Sequence, residues 1–134
     1  MGSVNRRVER FFTLLDETAK FSNHPQHRIS SAIVVKNKLV GLGFNQMKTD
    51  PFQKKYSKND DCIYIHAEIH AIKNALRSVD VSALRYADLY VTRIMLGSGT
   101  RGMAKPCDGC MGAIVEFGIR RVFYTNPKGH IVEL

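Results

Sequence analysis

The sequence lacks the features that would place it in a membrane or in the secretory pathway. None of its 134 residues belongs to an apolar stretch of the roughly 20 residues that a transmembrane helix needs. The charged start, which contains Arg6 and Arg7, is not followed by the apolar segment of a signal peptide. Arg6 also occupies the position where a myristoylation motif requires serine or threonine. We therefore expect a soluble, cytoplasmic protein without a membrane partner.

Cysteine is scarce as well. The chain contains three cysteines, an odd number, and only two residues separate Cys107 from Cys110, so a disulfide framework is not expected.

The overall composition is that of a globular protein, with 44% hydrophobic and 24% charged residues. This composition predicts one packed domain over residues 1–134. The net charge of +8 favours an anionic partner such as a nucleotide phosphate or nucleic acid, although a small basic domain needs no specific partner.

Hydrophobic spacing in the first half of the chain predicts a helix, a hairpin and a loop. Apolar residues recur at helical spacing within residues 4–21, which predicts an amphipathic helix. Two short runs, 30–35 and 39–44, flank a polar turn and predict a β-hairpin. Residues 46–61 are polar, rich in lysine and contain Pro51, so we expect a long loop there.

The second half of the chain predicts alternating helices and strands. One helical pattern covers residues 66–79, and another covers 107–117, where Pro106 precedes the helix and Gly118 ends it. Strands are predicted at residues 89–96, 121–124 and 130–134. This order of elements predicts an α/β layer sandwich in which helical crossovers join the later strands.

Two short motifs carry side chains that bind metals. His66-Ala67-Glu68 begins one predicted helix, and Pro106-Cys107-Asp108-Gly109-Cys110 begins the other. Cysteines at i and i+3 share a helix face, and a helix N-terminus favours the thiolate. Thiolates combined with imidazole suit zinc. We therefore predict His66, Cys107 and Cys110 as three zinc ligands, with a fourth position left for water.

Glu68 is the candidate for proton transfer. It lies two residues after His66, so we expect it near the metal but displaced around the helix from that ligand. Zinc lowers the pKa of a bound water, so hydroxide is available near neutral pH. A carboxylate at this position can take a proton from that water and return it to a ring nitrogen and a leaving amine.

The motifs H-x-E and P-C-x-x-C together are the signature of zinc nucleobase deaminases. The chain resembles the cytidine/deoxycytidylate deaminase superfamily over nearly its whole length, and its longer connection before Pro106 resembles the phage-type deoxycytidylate deaminases. The resemblance extends to the hairpin that ends at Asn45, to strand 89–92 and to residues 118–122. It implies a three-layer α/β/α sandwich with a five-stranded mixed sheet, one zinc ion per chain and a homo-oligomer.

The same resemblance implies a reaction and a set of site residues. The expected reaction converts a cytosine nucleotide, dCMP above others, to its uracil form by attack of zinc-bound hydroxide on C4, with Glu68 as the proton shuttle. Asn45 is implied to contact the sugar or base, and Ala67 to line the substrate site beside the ligands. His70 occupies the position where many relatives have asparagine, so it is a further candidate for substrate contact.

The 13 residues 93–105, between the strand and Pro106, contain three cations and no acid. We expect Arg101 and Lys105 in this insertion to hold a substrate phosphate, although both could be solvated loop charges. His70 could likewise face away from the pocket. His24, His27 and His130 form no recognisable constellation in the sequence, and no role is predicted for them.

Other functions also fit the sequence. Cys62 could complete a closed Cys3His zinc site, in which case the chain would be a non-catalytic, zinc-stabilised nucleic-acid-binding module. The substrate could instead be a free nucleoside, or a base in single-stranded nucleic acid held by the lysine-rich residues 46–61. A zinc protease fits poorly, because its motif requires glutamate directly after the first histidine and Ala67 stands there.

Overall fold

The chain folds into four α-helices and five strands in the part that the computed structural model describes, residues 6–25, 27–57 and 64–134. The elements in these ranges are α1 (Arg6–Thr18), β1 (His27–Val35), β2 (Lys38–Phe44), α2 (Pro51–Tyr56), α3 (Ala67–Ala75), β3 (Ala87–Met95), α4 (Asp108–Phe117), β4 (Arg121–Thr125) and β5 (Ile131–Glu133). Short 3-10 turns cover Ala19–Phe21 and Val81–Tyr86. Among the residues described, no helix combines the length and the apolar character needed to cross a bilayer.

The strands form one mixed sheet in the order β2-β1-β3-β4-β5. β1 pairs antiparallel with both β2 and β3, β3 runs parallel to β4, and β5 returns antiparallel to β4. A parallel pair requires a crossover connection, which α4 provides. The predicted hairpin is confirmed, and its turn residues Lys36 and Asn37 have φ angles of 49° and 68°, as tight hairpin turns that match the strand twist require.

Helices cover both faces of the sheet. On one face, α1 inserts Phe12 and Leu15 against Tyr90 and other sheet residues. On the other face, apolar residues of α3 and α4 pack with sheet residues such as Leu89 in the larger core. This arrangement is the predicted three-layer α/β/α sandwich.

Close packing of α3 on β2 fixes where α3 begins. A Cβ atom added to Gly43 would lie 2.3 Å from the backbone nitrogen of Ala71 and 2.5 Å from the carbonyl oxygen of Ala67. No side chain fits in that space, so glycine allows the helix backbone to rest directly on the strand. The N-terminus of α3 therefore lies beside the end of β2.

The prediction of one long loop over residues 46–61 is wrong for its central part, where α2 forms. Asp50 caps this helix by accepting a hydrogen bond of 2.8 Å from the backbone N–H of Phe52, and Pro51 occupies the first helical position, where a missing N–H costs nothing. The rings of Phe52 and Tyr56 pack on Phe117. Residues 58–63, which include Cys62, lie outside the described part of the chain.

Candidate active site

The three predicted metal ligands meet between the N-termini of α3 and α4. His66 is the N-cap residue of α3 and Cys107 that of α4, while Cys110 lies buried in the first turn of α4. The Nδ1 atom of His66 is 3.6 Å from the Sγ atom of Cys107 and 3.3 Å from that of Cys110. All three potential ligand atoms lie within 4.8 Å of one another. Two sulfurs and one imidazole nitrogen this close fit a single zinc ion.

The electrostatics of this group favour a cation. The pKa of the Cys107 thiol falls to about 3, first because the Cys110 thiol donates a hydrogen bond to its sulfur and second because His66 does. The hydrogen bond to Cys107 in turn raises the pKa of His66. The hydrogen bond with Cys107, together with burial, raises the pKa of Cys110. Cys107 thus carries negative charge, and a metal ion would displace the protons that the other two side chains share with it.

Glu68 is buried next to the ligands, with 6% of its surface exposed. Burial is the main reason that its pKa is raised. A carboxyl group with a raised pKa exchanges protons more readily near neutral pH than an ordinary glutamate does. The position and the protonation of Glu68 therefore both suit proton transfer.

A pocket of about 450 Å³ opens beside these groups, a volume typical of small-molecule sites. His66, Cys107 and Glu68 form one part of its wall, together with Ala67 and Lys105. Lys105 is exposed and adds a cation to the lining. With Asn45, six predicted site residues therefore line one cavity.

A basic cluster that the sequence did not reveal forms another part of the pocket wall. The Nη2 atom of Arg93 contacts the Nδ1 atom of His27, and the rings of His24 and His27 stack with centroids 5.2 Å apart. The Nε atom of Arg93 is buried and has no hydrogen-bond partner among the described residues. The antiparallel register of β1 on β3 pairs Ile29 with Arg93, which makes residues 27 and 93 diagonal neighbours. That strand pairing is the signal that could have predicted the cluster.

Asn45 lies in the pocket wall, and its carboxamide is hydrogen-bonded to the backbone of β1. Its Oδ1 atom accepts a bond of 2.9 Å from the N–H of Ile29, and its Nδ2 atom donates a bond of 2.7 Å to the carbonyl of His27. Asn45 therefore ties the end of β2 to β1, next to the basic cluster.

Two candidates for substrate contact lie apart from the pocket lining. His70 packs edge-on against the ring of Phe44, and its Nδ1 atom accepts a 3.1 Å hydrogen bond from the backbone N–H of Phe44. Arg101 forms a 2.8 Å ion pair with Asp16 and lines a different cavity, of about 870 Å³. The structure thus places Lys105 of the insertion in the pocket and Arg101 elsewhere.

Comparison with known proteins gives the family. Residues 5–126 match the cytidine and deoxycytidylate deaminase zinc-binding region. The chain belongs to this family. Membership confirms the predicted enzyme class, a zinc-dependent deaminase of the cytidine and deoxycytidylate type, and confirms zinc as its metal.

Relatives with a curated description are also deaminases. The chain is 27% identical over 128 residues to an uncharacterised deaminase of Aliivibrio fischeri, covering 90% of this chain and 73% of that protein. It is 28% identical over 132 residues to the deoxycytidylate deaminase of Mus musculus, covering 91% of this chain and 66% of the mouse enzyme. The chain therefore spans just under two thirds of the mouse protein.

Solved structures share the fold. The deoxycytidylate deaminase of cyanophage S-TIM5 superposes with a TM-score of 0.66 at 19% identity, over 93% of this chain and 86% of that one. The cytidine deaminase of Burkholderia pseudomallei gives a TM-score of 0.60 at 20% identity, over 91% of this chain and 90% of that one. At this level of identity, the likeness confirms the deaminase fold.

Proposed function

We propose that this protein deaminates a cytosine nucleotide and converts deoxycytidine monophosphate to deoxyuridine monophosphate. One observation carries the proposal: a single pocket joins the His66, Cys107 and Cys110 group to Glu68 and to a basic cluster. The deoxycytidylate deaminases among the relatives support the choice of substrate. The cyanophage enzyme of the same fold binds dCMP and dUMP.

Each residue of the metal group has a stated role in the proposal. His66, Cys107 and Cys110 would hold the zinc ion, which when bound acidifies a water molecule so that it can act as the nucleophile. Glu68 takes one proton from the attacking water and delivers it to N3 of the cytosine ring; it then takes the remaining proton from the new C4 hydroxyl and gives it to the departing amine. Overall, one water molecule is consumed, the C4–N bond breaks, a C4 carbonyl forms and ammonia leaves.

The basic cluster supports a phosphorylated substrate over a free nucleoside. Glu68 is the single acid among the described residues that line the pocket. Arg93, Lys105 and the two histidines of the basic cluster, His24 and His27, supply cationic or proton-accepting groups. Arginine recognises phosphate through several N–H donors at once. The guanidinium group of Arg93, a residue of the pocket wall, carries such donors.

The test is a substrate panel followed by mass spectrometry, which detects replacement of the amine by a carbonyl oxygen. Zinc-loaded protein is incubated with deoxycytidine, its mono- and triphosphates, adenosine, guanine and a short single-stranded oligonucleotide. We expect conversion of the monophosphate. Conversion of the oligonucleotide alone, with rates that fall steeply as salt rises, would move the substrate to nucleic acid. A zinc-loaded protein that converts none of these compounds would contradict the proposed substrate.

Arg93→Met tests the phosphate contact. Losing a charged hydrogen bond of about 2 kcal/mol lowers kcat/KM for the monophosphate by roughly 30-fold, and we expect little change for deoxycytidine. The matched control is Arg101→Met, which removes an arginine of the same insertion that lies outside the pocket. In this control we expect the ratio of kcat/KM for the monophosphate to kcat/KM for deoxycytidine to stay within about threefold of the ratio in the unaltered protein. An equal loss for both substrates in Arg93→Met would contradict a phosphate contact at Arg93.

A further inference from the structure

We propose that Gln53 is a positioning residue for the metal site, through which α2 fixes His66 relative to the two cysteines. The inference rests on the proposed assignment of His66, Cys107 and Cys110 as zinc ligands. Gln53 belongs to the segment for which the sequence predicts a loop. In the structure this segment is α2, which contacts the start of α3 on one side and α4 on the other.

The carboxamide of Gln53 holds the backbone at the histidine ligand. Gln53 is 1% exposed, and its Oε1 atom accepts a 2.9 Å hydrogen bond from the backbone N–H of His66. That N–H lies ahead of the first turn of α3, so no bond within the helix can satisfy it. The peptide plane that precedes the imidazole is therefore oriented by a side chain from α2.

The other end of the same amide is also held. The Nε2 atom of Gln53 donates a 3.2 Å hydrogen bond to the hydroxyl of Ser57, and that hydroxyl donates a 3.1 Å bond to the carbonyl of Gln53. Both polar atoms of the buried amide are thus engaged, which fixes its rotamer. The bond that reaches His66 comes from the Oε1 atom alone, so Ser57 only adds to the order of the amide.

The C-terminal end of α2 rests on the cysteine motif. A Cβ atom on Gly109 would lie 2.2 Å from the carbonyl oxygen of Tyr56, so the residue directly before Cys110 has to be glycine for α2 to approach this closely. Lys55 adds a 3.4 Å ion pair with Glu116 of α4. One short helix therefore contacts the helix of the histidine ligand and the helix of the cysteine ligands.

The test compares the zinc affinity of the unaltered protein with that of three variants. Gln53→Met keeps the side-chain volume and removes the acceptor, whereas Ser57→Ala is the matched control that removes a partner of the same amide without touching His66. Gln53→Glu retains an acceptor for the His66 N–H. Zinc dissociation constants are measured by competition with a chelator, and the absorption bands of the cobalt-substituted proteins report the geometry of thiolate and imidazole ligation.

We expect Gln53→Met to bind zinc about 10- to 100-fold more weakly and to show shifted cobalt bands. Ser57→Ala and Gln53→Glu should stay within about fivefold of the unaltered protein and keep its cobalt spectrum. Wild-type zinc affinity and cobalt bands in Gln53→Met would overturn the proposal. Equal weakening in Gln53→Met and Ser57→Ala would also overturn it, because general loosening of α2 would then explain both.

Two further results keep the test decisive. If Gln53→Met does not fold, Gln53→Glu decides alone, and a folded Gln53→Glu protein with weakened zinc binding and altered cobalt bands overturns the proposal. Failure of the ligand assignment is recognised separately, since Cys107→Ser would then bind zinc as tightly as the unaltered protein. The substrate panel reports on catalysis independently of both.

Discussion

Among the single residues of the site, His66 and Cys107 occupy the N-cap positions of α3 and α4. An N-cap side chain commonly accepts a hydrogen bond from the backbone of the next turn, yet neither of these side chains does so. They point instead toward each other and toward Cys110. The positive ends of α3 and α4 favour the thiolate charge that collects between them.

Glu68→Gln should separate metal binding from turnover. Glutamine is almost isosteric with glutamate but cannot accept and release a proton, and general acid–base catalysis contributes about 100- to 10,000-fold to a rate. We expect normal zinc content and an unchanged circular dichroism spectrum, with kcat lowered by about 100- to 10,000-fold. Metal analysis and a deaminase assay on the same sample check this. Wild-type turnover in zinc-loaded Glu68→Gln would exclude its role as the proton shuttle.

Asp50→Asn should lower stability in a pH-dependent way. The pKa of Asp50 is lowered from 3.8, mainly because Lys73 donates a 2.6 Å hydrogen bond to its carboxylate. Because the folded-state pKa is the lower one, the stabilisation is complete above about pH 4 and is lost as the pH falls through the folded value. Lys73 is partly exposed, so we expect a deficit of about 1 kcal/mol at pH 7.

Urea unfolding of the metal-free proteins measures this deficit. Asparagine can still cap α2 by accepting from Phe52, so the difference isolates the pair with Lys73. The deficit should be constant between pH 7 and pH 5 and should shrink below pH 4. A deficit that grows toward acid pH would show that the sign assigned to Asp50 is wrong.

At the scale of whole elements, α4 joins the metal site to the sheet. Its N-cap residue is Cys107, a proposed zinc ligand, and its C-cap residue is Gly118, which adopts a left-handed conformation with φ of 70°. That conformation turns the chain into β4, which pairs parallel to β3. The end of α4 thus helps to fix the position of its ligand-bearing start.

Two glycines of this region should respond oppositely to alanine. Gly118→Ala places a Cβ atom on a left-handed residue and should cost about 1 kcal/mol of the free energy of unfolding. Gly112 lies exposed within α4, and a Cβ atom added there would meet no described atom within 4 Å outside the helix backbone. Gly112→Ala should therefore gain about 0.5–1 kcal/mol from helix propensity. Chemical denaturation compares the two variants. Destabilisation by both would contradict the assigned conformations.

At the scale of the whole molecule, the proposed ligands lie on two helices that α2 and the metal would hold together. A ligand that binds only the folded state stabilises it in proportion to the logarithm of its concentration over its dissociation constant. The unit of 15.1 kDa is small enough for such a contribution to matter. Association of several chains, implied by the family, stays a prediction that light scattering in solution can check.

Zinc removal should lower the melting temperature. With zinc at 1,000 times its dissociation constant, the stabilisation is about 4 kcal/mol, which corresponds to a shift of roughly 10 °C or more for a domain of this size. Scanning calorimetry of the chelated and the zinc-loaded protein measures the shift. Cys107→Ser should show little of it. Equal melting temperatures for chelated and loaded wild-type protein would contradict a site built between α3 and α4.

The metal-binding motifs could be predicted from the sequence, whereas α2 and the contact between Arg93 and His27 could not. The motifs around His66 and Cys110 were recognisable because ligand spacing on a helix is a local property. The helix α2 was missed because six residues, Pro51–Tyr56, are too few to display helical periodicity, and packing on Phe117 supports them. The pairing of Arg93 with His27 was missed because it depends on the register between strands that are 66 positions apart in the chain.

Residue types and short spacings were enough to predict a zinc donor set, a neighbouring carboxylate, a basic net charge and the order of helices and strands. Three features became visible with the fold: the set of cations that line the pocket, the pairing of Arg101 with Asp16 outside it, and the hydrogen bond of Gln53 to the backbone of His66. The reason is that contacts between distant residues depend on strand register and helix packing, which short-range patterns do not contain.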